Sequence, residues 1–209
     1  MTAGSNEWKN AIEWEKNWWD DCANTHHEEE KQLVYAEKIG LTRKPTPKTP
    51  YNFDLNGESV LDIGGGAVSI LLKCVNFSEA VVVDPLLDRH PSWVKDRYKA
   101  HGIEVISAKG EDIGDMGKVF DSVLIYNVLE HVEDPEKVIR NAQKLGKIIR
   151  FFEWIDTKHN ERQGHIHSFH RNQFDNWLKG EGKVEMLNKS GCVGKGYFGI
   201  FLGDSYAKH

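Results

Sequence analysis

The stretch "VLDIGGGAVSILLK", residues 60–73, decides the fold of this chain. A short apolar run leads into three consecutive glycines, and an acid, Asp62, stands just before them. Glycines between a strand and a helix usually allow a ligand to approach the main chain closely. The stretch therefore predicts a strand, a ligand-binding turn and a helix over about residues 68–75.

Strands and helices alternate along the chain from residue 58 onward. After "SVLDI", the segments "EAVVVDP", "IEVISA", "VFDSVLIYN" and "KIIRFFEWI" predict strands, and "PSWVKDRYKAHG", residues 134–144 and "RNQFDNWLKGE" predict helices. The last two predicted strands, "KVEMLNKSG" and "GYFGIFLG", have no helix between them. This order predicts an α/β domain with a seven-stranded, mostly parallel sheet and one antiparallel strand near its edge.

The first part of the chain has a different pattern. Ala11, Trp14, Trp18 and Cys22 follow helical spacing, and "EEEKQLVYAEKIGL" predicts a second helix that is closed by Gly40. The segment "TRKPTPKTPYNF" is rich in proline and threonine, which predicts an extended linker. We therefore expect an N-terminal helical cap over residues 1–42, a linker over 43–57 and the main domain over 58–209.

Composition limits the class of protein. The 209 residues are 39% hydrophobic and 28% charged, and no stretch approaches the ~18 apolar residues of a membrane span. The start, "MTAGSNEWKN", lacks the regions of a signal peptide, and three scattered cysteines predict reduced thiols, so we expect a cytoplasmic protein. The net charge of −5 and the pI near 6.1 argue against tight nucleic-acid binding, and no membrane partner is expected.

The acid before the glycines bears on the kind of ligand. In a sheet of this type, ligands bind beyond the carboxyl ends of the strands, where the strand order reverses. Dinucleotides and S-adenosylmethionine both suit a glycine turn followed by an acid, Asp84, at the end of the second strand. The dinucleotide pattern places Ser69 where its third glycine belongs, and Asp62 would repel a pyrophosphate. Because the methionine end of S-adenosylmethionine is cationic, Asp62 favours that cofactor.

Four motifs carry a resemblance. "VLDIGGGAVS", "VVVDP", "SAKGEDI" and "FDSVLIYNVLEHVEDPEKVIRNAQKL" resemble, in this order, the motifs of class I S-adenosylmethionine-dependent methyltransferases. The fourth motif is similar to the form found in ubiquinone-pathway O-methyltransferases and in many sugar or natural-product methyltransferases. The resemblance covers residues 58 to about 203. The resemblance implies a Rossmann-like sheet, S-adenosylmethionine as cofactor, and N-terminal helices that cover the cofactor and shape the acceptor pocket.

The resemblance also implies roles for residues that match its motifs. The amino-acid part of the cofactor is expected at the glycine turn, the ribose at Asp84, and the sulfonium above the end of the fourth strand. Glu111 and Asp112 compete for the adenine amino group. The full predicted cofactor set is Asp62, Gly64, Gly65, Gly66, Asp84, Pro85, Leu86, Gly110, Glu111, Asp112, Asn127 and Val128. Two departures are Val68 at the usual third glycine and "KLGK" in place of a Pro-Gly-Gly before the fifth strand.

Histidines are the candidates for proton transfer. Methyl transfer needs the acceptor within about 3–3.5 Å of the methyl group and, for a hydroxyl, a base near neutrality. We take His131, His165 and His167 as the candidate catalytic residues, with His159 and His170 in the same histidine-rich region. Glu130 and His131 could instead only cap the following helix.

The same region weakly resembles the metal-binding segment of small-RNA terminal 2′-O-methyltransferases, which pair Glu-x-x-Glu-His with a later histidine. Here the segment reads Asn127-x-x-Glu130-His131, so one carboxylate is missing. Two histidines and one carboxylate could still hold a divalent ion, but no metal is predicted.

The acceptor is not fixed by these motifs. We expect transfer to an oxygen or nitrogen of a small molecule, with a metal-assisted RNA 2′-hydroxyl methyltransferase and a non-catalytic cofactor-binding regulator as alternatives. Trp8, Trp14, Trp18 and Trp19 are expected to pack on the domain, with one or two facing the cleft, and residues 24–27 could reach the substrate. The apolar segment "YFGIFLG" is expected at a sheet edge, where it could pair two subunits into a homodimer.

Overall fold

The structure, a computed structural model, describes residues 3–20, 28–45, 52–157, 164–204 and 206. Two helices come first, α1 (Ala3–Asp20) and α2 (Glu28–Lys38). Gly40, at φ +79°, ends α2, with Gly40 N–H donating to Glu37 O and Leu41 N–H to Ala36 O. This pair of bonds is a Schellman motif, which requires a residue that accepts a positive φ. The prediction that Gly40 closes the second helix is confirmed.

Two sheets follow in the chain. A small sheet contains β1 (Thr42–Arg43), β2 (Phe53–Asp54) and β4 (Cys74–Val75). The main sheet contains β3 (Ser59–Ile63), β5 (Glu79–Val83), β6 (Glu104–Ile106), β7 (Phe120–Tyr126), β8 (Gly146–Ile155), β9 (Lys183–Lys189) and β10 (Cys192–Leu202). The described parts of the chain also contain α3 (Ser92–Ala100), α4 (Pro135–Leu145) and α5 (Arg171–Trp177), and 3₁₀ helices at Ile70–Lys73, Gly110–Asp112 and Leu129–His131.

The main sheet has the order β6-β5-β3-β7-β8-β10-β9. Strands β3, β5, β6, β7 and β8 are parallel, and β10 is antiparallel to both of its neighbours. The predicted α/β fold, with seven strands, one of them antiparallel, and N-terminal helices, is confirmed. The chain order reverses between β3 and β7, so the carboxyl ends of β3, β5 and β7 form the crevice in which such sheets bind ligands.

The central strands of the main sheet are buried on both faces. Val60 of β3 belongs to a hydrophobic cluster with α2, while Leu61 of the same strand belongs to a second cluster with α4 and α5. Successive side chains of a strand point to opposite faces, so both faces demand apolar residues. This explains why the central strands read as continuous apolar runs.

Three expectations on the fold are wrong. The helix expected over residues 68–75 is only the 3₁₀ turn Ile70–Lys73, because Cys74 and Val75 form β4 and pair with β2. The expected linker over 43–57 contains β2, whose Phe53 is fully buried in the cluster that includes α2. The segment "YFGIFLG" lies in β10, which has β8 on one side and β9 on the other, so it is not the edge strand of the sheet.

Within the described ranges, no helix is both long and apolar enough to cross a bilayer.

Candidate active site

The glycine turn after β3 has a backbone that other residues could not adopt without strain. Gly64 has φ +80° and Gly66 has φ +57°. A Cβ on Gly64 would lie 2.0 Å from Val128 Cγ2, and a Cβ on Gly65 would lie 2.8 Å from Asp62 Oδ2. Because contacts this short are forbidden, positions 64 and 65 require glycine.

Asp62 lies beneath the glycine turn and accepts hydrogen bonds from two hydroxyl groups. Its Oδ2 accepts hydrogen bonds from Ser69 Oγ at 2.5 Å and from Tyr126 OH at 2.7 Å. Burial raises the pKa of this carboxyl to about 6, although the two hydroxyl donors oppose the increase. Asp62 lines neither of the cavities described below. The expectation that its charge faces the ligand is therefore not met, because the side chain points from β3 into the cluster beneath the turn.

Asp84 lies at the end of β5 and does face the crevice. Its Oδ2 accepts the Gly66 N–H at 3.1 Å, and its Oδ1 accepts the Leu86 N–H at 2.8 Å. The carboxyl is only 8% exposed. Burial, followed by the negative charge of Glu15, raises its pKa to about 7.

Two cavities lie over the carboxyl ends of these strands. The small cavity, about 50 Å³, is lined by Trp8, Ile12, Glu15, Ile63, Gly64, Val83, Asp84, Pro85, Leu86, Lys109, Gly110, Glu111, Asn127, Val128, His131 and Val132. The large cavity, about 310 Å³, is lined by Trp14, Glu15, Trp18, Trp19, Glu28, Lys31, Gln32, Tyr35, Gly64, Gly65, Gly66, Val68, Tyr126, Asn127, Glu130, His131, Trp154, His165, Gly191 and Val193. Among the described residues, Glu15, Gly64, Asn127 and His131 line both cavities, so they mark the junction between them.

The predicted cofactor residues fall into three groups. Gly64, Asp84, Pro85, Leu86, Gly110, Glu111, Asn127 and Val128 line the small cavity, and Gly65 and Gly66 line the large one. Asp112 is exposed and, like Asp62, lines neither cavity. Glu111 Oε1 accepts the N–H groups of Glu133 at 2.8 Å and Asp134 at 3.1 Å, so this oxygen caps the chain before α4.

The loop after β7 depends on a residue that the sequence analysis missed. Glu153 of β8 is fully buried, and its Oε1 accepts the N–H groups of Val128 at 2.6 Å and Leu129 at 2.7 Å. Burial, followed by the charge of Glu130, raises the pKa of the Glu153 carboxyl to about 8. The available signal was an acid inside the apolar strand "KIIRFFEWI".

Two of the three candidate catalytic histidines come together at the large cavity. The rings of His131 and His165 have centroids 4.6 Å apart. His131 Nδ1 lies 3.0 Å from Gly164 O and 3.5 Å from Glu15 Oε2. His167 lines neither cavity, and its Nε2 lies 2.7 Å from Val132 O. His159 lies outside the described residues.

A cation-binding group lies at the same place. Glu130, His131 and His165 each offer a ligand atom, and these atoms lie within 4.8 Å of one another. Glu130 Oε2 is 3.5 Å from His165 Nε2. Two imidazoles and a carboxylate are a ligand set that suits divalent transition metals. The structure thus brings together a set that can hold such an ion, although the sequence analysis predicted none.

Helix α1 covers both cavities with aromatic residues. Trp8 lines the small cavity, and Trp14, Trp18 and Trp19 line the large one. Lys109 Nζ lies 3.7 Å from the centroid of the Trp8 ring, which ties α1 to the main domain. Residues 24–27, expected to reach the substrate, lie outside the described residues.

Comparison with known proteins finds a family model and a curated relative that match this chain. A family model described as a methyltransferase domain matches residues 35–182. The uncharacterized protein MJ1123 of Methanocaldococcus jannaschii is 36% identical over 125 residues, which are 58% of this chain and 53% of that protein. The chain thus spans about half the length of this curated relative.

Solved structures share the fold at low identity. The N-methyltransferase NodS from Bradyrhizobium japonicum WM9, in complex with S-adenosyl-L-homocysteine, has a TM-score of 0.59 and 15% identity, covering 88% of this chain and 90% of NodS. A methyltransferase from Thermotoga maritima, described as a possible histamine N-methyltransferase, has a TM-score of 0.56 and 14% identity, covering 94% and 93%. The cyclase SpnF, with a TM-score of 0.52, 13% identity and coverage of 74% and 57%, shares the fold too, so the fold alone does not fix the reaction.

The family assignment therefore depends on the family model, which covers residues 35–182 and so well over half of the chain. The chain belongs to the class I S-adenosylmethionine-dependent methyltransferases.

Proposed function

We propose that this chain transfers a methyl group from S-adenosylmethionine to an oxygen or nitrogen of a small molecule that binds in the large cavity. The observation that carries the proposal is the meeting of the two cavities at Gly64 and Asn127. The small cavity, at the ends of β3 and β5, suits the nucleoside of the cofactor. The large cavity offers the glycine turn to the amino-acid part of the cofactor and the space beyond the turn to an acceptor.

The residues of the small cavity and of the adjoining glycine turn fit the cofactor, which must extend across both cavities because about 50 Å³ is too little for the whole molecule. The glycine turn has no Cβ and has positive φ angles, so its backbone can contact a ligand directly. Asp84 offers carboxylate oxygens to ribose hydroxyls, and Pro85 and Leu86 offer apolar surface to a flat base. The acids Glu15, Asp84 and Glu111 line this cavity, which suits hydroxyls and a positive charge better than a pyrophosphate. When bound, S-adenosylmethionine supplies a methyl group already activated by a positively charged sulfur.

The large cavity fits a small acceptor. Its volume of about 310 Å³ falls at the lower end of the roughly 300–1,000 Å³ that ligand pockets usually have. His131 lines the junction, and His165 lines the same cavity beside it. We assign removal of the acceptor's proton to this pair and not to His167, which lies away from both cavities.

Ligand binding tests the cofactor assignment. S-adenosylhomocysteine should raise the melting temperature of the protein, and NAD should not. Asp84→Asn should weaken S-adenosylhomocysteine binding about tenfold, because one charge-assisted hydrogen bond is worth roughly 1.5–3 kcal/mol. Asp112→Asn is the matched control, since this acid is exposed and lines neither cavity. Stabilisation by NAD alone, or equal losses in both variants, would contradict the assignment.

Turnover needs a second assay. Incubation of the protein with methyl-labelled S-adenosylmethionine and a cell extract, followed by identification of the labelled compound, should yield a small molecule. Cofactor binding without any labelled product would instead support the non-catalytic regulator.

A second candidate function follows from one observation. Glu130, His131 and His165 form a set of ligand atoms within 4.8 Å of one another, which suits metal-assisted transfer to an RNA 2′-hydroxyl. The net charge of −5 is unfavourable for binding RNA. A chelator distinguishes the two functions: loss of transfer with EDTA and recovery with Mn²⁺ or Co²⁺ would favour the metal-assisted reaction, and unchanged transfer would exclude it.

A further inference from the structure

We propose that the acceptor is an amine that enters as its ammonium ion and carries an apolar or aromatic group, and that Glu15 of α1 selects it. The inference rests on the proposed methyl transfer and names the substrate class for the large cavity. Three features of the described residues support it: the charge of the cavity lining, its aromatic surface and the position of Glu15.

The lining of the large cavity is acidic. Glu15, Glu28 and Glu130 contribute carboxylates, whereas Lys31 is the one lysine or arginine among the described lining residues. Lys31 Nζ forms an ion pair with Glu28. The described lining therefore has two more carboxylates than permanently positive side chains. Such a lining repels a carboxylate acceptor, attracts an ammonium ion and offers a neutral alcohol no charge-based advantage.

The aromatic surface suits the same ion and its carbon skeleton. Trp14, Trp18, Trp19, Tyr35 and Trp154 line the cavity. Tryptophan rings attract cations to their faces, and they stack on other flat rings. A purely polar acceptor would leave most of this surface without a partner.

Glu15 lies at the junction of the two cavities, beside His131. It is one of the residues that line both cavities, and its side chain is 22% exposed. Its Oε2 lies 3.5 Å from His131 Nδ1, so an ammonium ion near Glu15 is also near the candidate base.

His131 is linked to α1 through Gly164. Its Nδ1 lies 3.0 Å from Gly164 O. The Gly164 backbone is held in turn by α1, because a Cβ at this position would lie 2.4 Å from Trp14 Cε3. Glu15, Trp14 and His131 therefore form one connected group.

The chemistry balances without any further reactant. One proton passes from the ammonium ion to water, which frees the nitrogen lone pair. That pair forms the new N–C bond as the C–S bond breaks, and the electrons of the broken bond remain on sulfur. The products are the methylated ammonium ion, neutral S-adenosylhomocysteine and a hydrated proton.

Binding to the S-adenosylhomocysteine complex tests the inference. The probes are 2-phenylethylamine, 2-phenylethanol and phenylacetate, which share a ring and differ in charge. We expect the amine to bind roughly 5–30 times more tightly than the alcohol, because a hydrogen bond between charged groups is about 1–2 kcal/mol stronger than a neutral one. Phenylacetate should bind most weakly of the three. Equal affinity of amine and alcohol, tighter binding of phenylacetate, or binding of none of the probes would overturn the inference.

Two variants test the role of Glu15. Glu15→Gln should remove most of the preference for the amine and change alcohol affinity less than about twofold. Glu7→Gln, on the same helix at an exposed position, removes the same charge and should leave the preference intact. Equal behaviour of the two variants would overturn the role of Glu15, and circular dichroism checks that both are folded. Absence of S-adenosylhomocysteine binding in the unsubstituted protein would contradict the methyl transfer itself, whereas intact binding without an amine preference contradicts this inference alone.

Discussion

Gly64 provides the sharpest test of the glycine turn, because two separate costs of a side chain can be measured there. Gly64→Ala would place a Cβ on a backbone with φ +80°, and this Cβ would lie 2.0 Å from Val128 Cγ2. Gly57→Ala would place a Cβ on a backbone with φ +83° and nothing within 4 Å. Gly57 is thus a matched control that carries the backbone cost without the steric clash.

The expected magnitudes follow from these two geometries. A non-glycine residue in the left-handed region costs about 1–2 kcal/mol, so Gly57→Ala should lower the free energy of unfolding by about this amount. A side chain forced into filled space costs about 1–3 kcal/mol more, so Gly64→Ala should lose about 2–5 kcal/mol in total. The double variant Gly64→Ala, Val128→Ala removes the Cγ2 contact at 2.0 Å but keeps the Val128 Cβ at 2.8 Å, so it should recover part of the free energy lost to the clash and none of the backbone cost.

Urea unfolding of Gly57→Ala, Gly64→Ala, Val128→Ala and the double variant measures these free energies. Calorimetric titration with S-adenosylhomocysteine follows the site in parallel, and Gly64→Ala should lose affinity while Gly57→Ala retains it. Equal destabilisation by the two alanines, or no coupling between Gly64 and Val128, would refute the argument that the turn needs glycine for steric reasons.

Three further predictions concern ionisation and buried hydrogen bonds. Because ribose hydroxyls donate to an ionised carboxylate, affinity for S-adenosylhomocysteine should rise as the pH rises through about 7, the pKa of Asp84, and titrations with Asp84→Asn should show no such rise. The raised pKa of Glu153 means that the folded protein keeps a proton that the unfolded chain loses, so stability should fall between pH 4.5 and about 8. Glu153→Gln should reduce this fall and remove it above about pH 7, where Asp62 and Asp84, whose pKa values are raised to about 6 and about 7, no longer contribute. A fall parallel to that of the unsubstituted protein would contradict the assignment. Tyr126→Phe removes the hydroxyl that donates to Asp62 and accepts the Ile70 N–H, and it should cost about 1–3 kcal/mol in urea unfolding, with no loss contradicting these bonds.

The main sheet could be predicted because its signals are local. Each central strand is buried on both faces, so apolar runs such as "SVLDI" and "EAVVV" mark strands without any knowledge of their neighbours. The glycine turn after the first run is equally local, since positive φ angles require particular residues. The same holds for Gly40 at the end of α2.

The errors concern features that depend on distant residues. The helix expected after the glycine turn stops at Lys73 because β2, far back in the chain, pairs with Cys74 and Val75. The last two strands form a hairpin, and the sequence pattern is the same whichever of them pairs with β8. The sequence therefore could not show that β10 lies inside the sheet and β9 at its edge.

The residues of the site likewise include some that the sequence predicted and others that only the structure revealed. From the sequence alone came the fold class, the turn at Gly64–Gly66 and the acid Asp84, because each depends on the conformation or charge of a short segment. Only the tertiary structure showed that Asp62 faces inward, that Glu153 holds the loop at Val128, and that Glu15 of α1 reaches His131. These contacts join residues that are far apart in the chain, and packing free energy, which no local pattern records, decides which of them form.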